Sequence, residues 1–146
     1  ESPHVLRVPA IQHFNGSDFS VRLPAPALVR DCMDEFEPDV IHSHHPFLLG
    51  DTALRQAWRM EIPVVFTHHT LFEEYLHYVP LPPAWLRPVA VGLCRWFWNT
   101  SEVVVAPSQE VAERQRRQGL RRPLQVIPTG VDVASFRAGD AAGPRV

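Results

Sequence analysis

A chain of 146 residues has room for one domain built on a single core. Hydrophobic residues make up 45% and charged residues 21%, an ordinary globular balance that excludes intrinsic disorder and fibrous repeats. No apolar run approaches the ~20 residues that cross a bilayer, and a formal net charge of -2 gives no general attraction for nucleic acid, which excludes a duplex-binding protein.

The chain opens Glu1-Ser2-Pro3-His4, without Met or a charged-then-apolar leader, as an internal piece of a longer protein would. His4 to Pro9 reads as a short strand, followed by a Pro-punctuated loop from Gln12 to Pro26. From Ala27 to Glu37 the spacing of Leu28, Cys32 and Phe36, with Val29 and Met33 beside them, predicts one helical stripe ending before Pro38. Asp39 to His44 is a short buried strand that ends in polar residues. Leu49, Ala53 and Ala57, flanked by Leu54 and Trp58, mark the next helix, and Pro63 to Thr67 the next strand.

Residues 84–99 form a mostly apolar helix with Trp85, Leu86, Val89, Leu93, Trp96 and Phe97. Apolar nearly all round, it reads as buried core, while its tryptophans with Arg87 and Arg95 would also suit a membrane interface. Glu102 to Ala106 is a strand, Ser108 an N-cap for a helix closing at Gly119, and Leu124 to Ile127 a last strand. Arg114, Arg116, Arg117, Arg121 and Arg122 read as a solvated basic face. Cys32 and Cys94 read as two buried thiols, and the Asn15 and Asn99 glycosylation patterns as chance. Helices alternating with strands imply an α/β fold, a Rossmann-like parallel sheet with helices on both faces.

Ligands bind such sheets at the carboxyl ends of the strands, where six of the eight histidines fall: His42, His44 and His45 after one strand, His68 and His69 after the next, and His77 beyond. Imidazole can coordinate metal, move a proton or hydrogen-bond a sugar or phosphate oxygen. A metal-dependent hydrolase on His42, His44 and His69 is one reading, weakened because no carboxylate is well placed and neither an HExxH helix nor a Cys-x-x-Cys pair exists. A structural reading has the imidazoles capping strand ends. No Gly-x-Ser-x-Gly elbow supports a serine nucleophile, and no Gly-rich loop cradles a phosphate.

Four motifs in order, Pro38-Asp39-Val40-Ile41-His42-Ser43-His44, Ile62-Pro63-Val64-Val65-Phe66-Thr67-His68-His69-Thr70, Val105-Ala106-Pro107-Ser108 and Val126-Ile127-Pro128-Thr129-Gly130-Val131-Asp132, resemble the signatures of family-4 retaining glycosyltransferases. The resemblance runs from about Val5 to Phe136. The stretch Glu73 to Pro80 looks like that of bacterial members that glucosylate diacylglycerol.

The resemblance implies a GT-B fold. Residues 1–136 would be the acceptor-side Rossmann-like domain without its first strand or strands, and 137–146 a linker toward a nucleotide-sugar-binding domain. It implies transfer of a hexose from a nucleoside diphosphate sugar, with no cofactor and no metal, to a lipid or sugar hydroxyl, diacylglycerol being the expected acceptor. The intact enzyme would be cytoplasmic, at the inner face of the membrane through peripheral contact, and would have no nucleic-acid partner. Noncatalytic sugar binding on the same fold is a further alternative.

By resemblance His69 is the catalytic-site residue beside the donor sugar. His42, His44, Thr70, Glu73, Glu74, Tyr75 and His77 line the cleft, and Gly130 and Asp132 form a hinge near the donor. Thr129 stands where the family commonly has Asn. Glu102 and Glu110 have the spacing of the family's paired glutamates, but without the small-residue loop between them they read as coincidence.

Overall fold

The computed structural model describes residues 5–13, 21–23, 25–69, 82–130 and 133. The first pairing is β1 (Ala10–Ile11) with β2 (Val21–Arg22), antiparallel. It lies past the strand expected over His4 to Pro9, and β2 falls inside the expected loop. Two-residue strands leave no period to read.

Helix α1 (Pro26–Phe36) starts on a proline preset for a first turn. It stops at Glu37, left-handed at φ 48, whose N–H bonds the Met33 carbonyl just before Pro38. Its inward face is not the expected one. Val29 and Met33 are half-buried, whereas Leu28, Cys32 and Phe36 are exposed. Both sets satisfy a helical period, and α1 only flanks the core: Met33 packs on it while Asp34 meets Arg59 of the next helix. Of the two thiols, Cys94 alone is buried.

Four strands follow: β3 (Ile41–Ser43), β4 (Val64–Thr67), β5 (Val103–Ala106) and β6 (Leu124–Val126). They lie in the order β3-β4-β5-β6, all parallel, with Ile41 opposite Val64, Val65 opposite Val103 and Val104 opposite Leu124. Crossover helices α2 (Leu49–Met60), α3 (Pro83–Thr100) and α4 (Gln109–Arg117) join them. Each right-handed crossover moves one strand along in the same direction, which places the three helices on one face.

That face holds the core. Ile41, Val64, Phe66 and Val104 pack against Leu54 and Ala57 of α2 and Cys94, Phe97 and Trp98 of α3. Burying a large side chain such as Phe66 or Leu54 contributes roughly 1.5–3 kcal/mol. The α/β parallel sheet with helices packed on it is as expected. On the opposite face His42 is exposed, Val65 and Val103, which line up with it across the strands, are half-buried, and the next pair, Thr67 and Val105, is buried.

Helix α3 is two-faced. Ala90, Cys94, Phe97 and Trp98 are buried, while Trp85, Val89, Leu93 and Trp96 remain 47–76% exposed. The all-round apolar pattern is therefore core on one side only. No helix among the described residues is long and apolar enough to cross a membrane. Asn99, one of the two glycosylation patterns, ties α3 to the loop between α4 and β6: its amide donates to the Arg95 and Gly119 carbonyls and its oxygen accepts from the Arg121 N–H.

Ser108 caps α4 by accepting from the Val111 N–H, and Gly119, at φ 96, ends the turn after it. Glu102 accepts from the Val64 N–H at 2.6 Å, and Glu110 stands in the first turn of α4 at the other end of β5. One carboxylate thus has a structural bond at the amino edge of the sheet, and the two do not meet.

Candidate functional site

The site grows from strand alternation on the face opposite the Phe66 core. Successive strand residues point to opposite faces. Thr67 therefore shares its side with His69, and His68 turns into the core. His68 is 2% exposed and lies edge-on to Phe66 and Trp98, at ring-centroid distances of 6.1 and 5.3 Å. His69 is exposed.

His42 and His44, two apart on β3 and just past it, also share a side, and β3 is hydrogen-bonded directly to β4. The Nε2 of His42 lies 2.6 Å from the Thr67 hydroxyl oxygen, and the Nδ1 of His44 lies 2.8 Å from the Nε2 of His69. The His42 ring is tilted 36° against that of His44, and the His44 and His69 rings lie edge to edge. His42 and His44 are 4.2 Å apart between centroids, and His44 and His69 are 5.0 Å apart at an interplanar angle of 21°.

The cluster disfavours accumulation of positive charge. Burial, followed by repulsion from His42 and then His69, holds the His44 imidazole below its ordinary pKa of 6.5. Two imidazoles facing nitrogen to nitrogen at hydrogen-bond distance can carry only one hydrogen between them.

The loop after β3 is tightly braced. The Ser43 hydroxyl donates to the His45 carbonyl, and the Phe47 N–H donates to the His45 Nδ1. Leu48 takes a positive φ of 54°, and Gly50 of α2 packs directly on the His45 carbonyl, where a Cβ would stand 1.9 Å from its oxygen. A cavity of about 840 Å³ opens beside β3, and its lining includes His42, His44, His45, Arg7 and Met33.

Of the residues singled out in the sequence, His42, His44 and His69 come together. Gly130 is exposed past β6, with open space where a Cβ would be. Thr70, Glu73, Glu74, Tyr75, His77 and Asp132 lie outside the described residues, as does 137–146. Sequence reading passed over Thr67, the partner of His42, although its two-residue spacing from His69 signals a shared side. Among the described residues no group of three or more His, Cys, Asp or Glu is arranged to hold a metal ion. The facing nitrogens of His44 and His69 are engaged with each other rather than converging on a common point.

The model of Glycosyltransferase Family 4 matches residues 1–135. The chain belongs to that family. Alpha-monoglucosyldiacylglycerol synthase of Streptococcus pneumoniae (strain ATCC BAA-255 / R6) is 31% identical over 139 residues, 93% of this chain and 31% of the relative. The protein of the same description from Acholeplasma laidlawii is 26% identical over 141 residues, 92% of this chain and 35% of the relative. GDP-mannose-dependent alpha-mannosyltransferase of Corynebacterium glutamicum is 27% identical over 141 residues, 92% and 32% of the two chains. The chain thus spans about a third of the length of the curated relatives it matches.

Proposed function

We propose that this chain is the acceptor-side domain of a retaining hexosyltransferase that acts on a lipid hydroxyl with a nucleoside diphosphate sugar as donor. The observation that carries the reading is the imidazole cluster, His42 on Thr67 and His44 on His69, at the carboxyl edge of the sheet on the face opposite the Phe66 core. A second Rossmann-like domain would hold the nucleotide and supply the diphosphate's backbone donors. Residues 1–136 would form the first domain and 137–146 the link between them.

In the reaction the bond from the hexose anomeric carbon to the diphosphate oxygen breaks. The acceptor oxygen bonds to the same face of that carbon, and the acceptor proton passes to the departing diphosphate. No carboxylate nucleophile is needed. The protein orients the reactants and stabilises developing charge. His69 hydrogen-bonds the donor sugar as the bond breaks. His42 and His44 line the cleft, together with Thr70, Glu73, Glu74, Tyr75 and His77, while Gly130 and Asp132 serve at the hinge.

The lipid acceptor, most simply diacylglycerol, is supported by the names of two relatives and by the apolar row on α3. Trp85, Val89, Leu93 and Trp96 recur at helical spacing and stay exposed, and Trp58 of α2 meets Trp96 edge-on at 6.5 Å. Such a row suits insertion among headgroups at the inner face of a membrane. The test is flotation of the full-length enzyme with anionic vesicles at low salt, alongside turnover on diacylglycerol and on a soluble sugar acceptor. Flotation that Trp85→Glu with Val89→Glu abolishes, and turnover on the lipid alone, is the expected result. No flotation together with turnover on the soluble sugar would overturn the lipid reading.

A further inference from the structure

We propose that His44 is a positioning residue for His69: the two imidazoles share one hydrogen between the His44 Nδ1 and the His69 Nε2, which locks the tautomer and plane of the ring that meets the donor sugar. The proposal rests on the function proposed above and deepens it. The contact distance of 2.8 Å is that of a well-formed nitrogen–nitrogen hydrogen bond. The rings lie edge to edge and nearly coplanar, at 21°, the geometry of an in-plane N–H···N bond, which resists rotation of the His69 ring about χ2.

A free surface histidine holds neither. Its two neutral tautomers interconvert, and its ring turns about χ2 in a broad well. His69 lies just past the end of β4, where the ladder no longer fixes the backbone on both sides, so a partner is needed to hold the ring still. With its Nε2 engaged, Nδ1 is the one polar atom of the ring left to meet a ligand.

His44 is itself held on its far side. The His42 ring packs against it, tilted by 36° at a centroid distance of 4.2 Å, and is anchored through its Nε2 to the Thr67 hydroxyl. Thr67 stands two residues before His69 on the same strand side. The bracing therefore closes a ring through Thr67, His42, His44 and His69 across two hydrogen-bonded strands. A single rigid arrangement follows, of the kind that lets an imidazole act without reorganising during the reaction.

The test compares His44→Phe with His44→Asn in the full-length enzyme. Phe keeps a planar ring against His42 and removes the nitrogen that meets His69. Asn places an amide N–H where the imidazole Nδ1–H would be. The first readout is nitrogen NMR of histidine-labelled enzyme, which needs no turnover. In the native enzyme, the His69 ring nitrogens give the separate signals of one fixed tautomer. In His44→Phe they average, and in His44→Asn the separation returns.

The second readout is steady-state kinetics. His44→Phe lowers kcat about 10-fold with KM changed less than about 2-fold, because the lost alignment matters most as the bond breaks, and His44→Asn recovers most of the loss. Melting temperatures of the two variants at pH 8, where the His44 imidazole is neutral in both folded and unfolded chains and its side chain is exposed, are expected to match the native enzyme and separate positioning from folding. A fixed His69 tautomer in His44→Phe, or an Asn variant no better than Phe in both readouts, would overturn the proposal. Fixed tautomers in an enzyme that transfers no hexose would leave the histidine pair standing and remove the proposed function instead.

Discussion

Replacing Gly50 with Ala presses the loop that carries the histidines directly. Gly50 is the second residue of α2 and buried, and an added Cβ would meet the His45 carbonyl oxygen at 1.9 Å, its carbon at 2.9 Å and the Phe97 Cε2 at 3.1 Å. Restoring even 3.0 Å requires α2 and the loop to part by about 1.1 Å. The contact is with backbone, so no side chain can swing clear. Two effects oppose each other. Alanine in a helix gains up to about 1 kcal/mol over glycine, while overpacking of this kind costs about 1–3 kcal/mol.

The clash wins by about 1–2 kcal/mol, which lowers the melting temperature of a domain this size by roughly 2–6 °C. The displaced carbonyl belongs to the residue after His44. A shift of this size takes the His44–His69 contact from 2.8 Å beyond hydrogen-bond range, and kcat should fall by about 10-fold or more. Gly92→Ala is the control, since a Cβ there has nothing within 4 Å. It should be neutral or slightly stabilising, with native turnover. The assays are thermal melting and steady-state kinetics of the full-length enzyme. If Gly50→Ala melts and turns over like Gly92→Ala, the loop is not braced as described.

The two adjacent histidines should separate cleanly. His69→Ala should lower kcat roughly 10²-fold at unchanged melting temperature, whereas His68→Ala, emptying a space between Phe66 and Trp98, should cost about 2–3 kcal/mol of stability with the smaller effect on turnover. A melting curve and a kinetic series on each check both statements. For pH, the neutral form of His44 is favoured in the folded state, so its contribution to stability is complete above the unfolded pKa of about 6.5. That contribution declines as pH falls through 6.5 toward the lowered folded pKa, because the unfolded chain takes up the proton first. Melting followed from pH 8 to 5 should show this decline, and His44→Asn should flatten it.

Much of the fold is readable from local periodicity. The apolar runs at Ile41, Val64 to Phe66 and Val103 to Ala106, each followed by a helix, specify a parallel sheet without any long-range information. Alternation past β4 likewise separates His68 from His69. Where two faces satisfy the same period, the sequence is ambiguous. On α1 both Leu28-Cys32-Phe36 and Val29-Met33 are helical stripes, and the packing of α2 selects the second. On α3 both stripes are apolar, and only the sheet decides which is buried.

The pairings that build the site are invisible for another reason. His42 with Thr67 and His44 with His69 each join residues 25 apart across two strands, so they depend on strand register. The close approach of Gly50 to His45 is equally a product of how α2 docks.

The most direct test of the account is the anomeric configuration of the product. The full-length enzyme would be supplied with an α-linked nucleoside diphosphate hexose and diacylglycerol, and the glycolipid examined by proton NMR. An α-linked product, with one nucleoside diphosphate released per hexose transferred, is predicted. A β-linked product, or release of free hexose with no glycolipid formed, would contradict it.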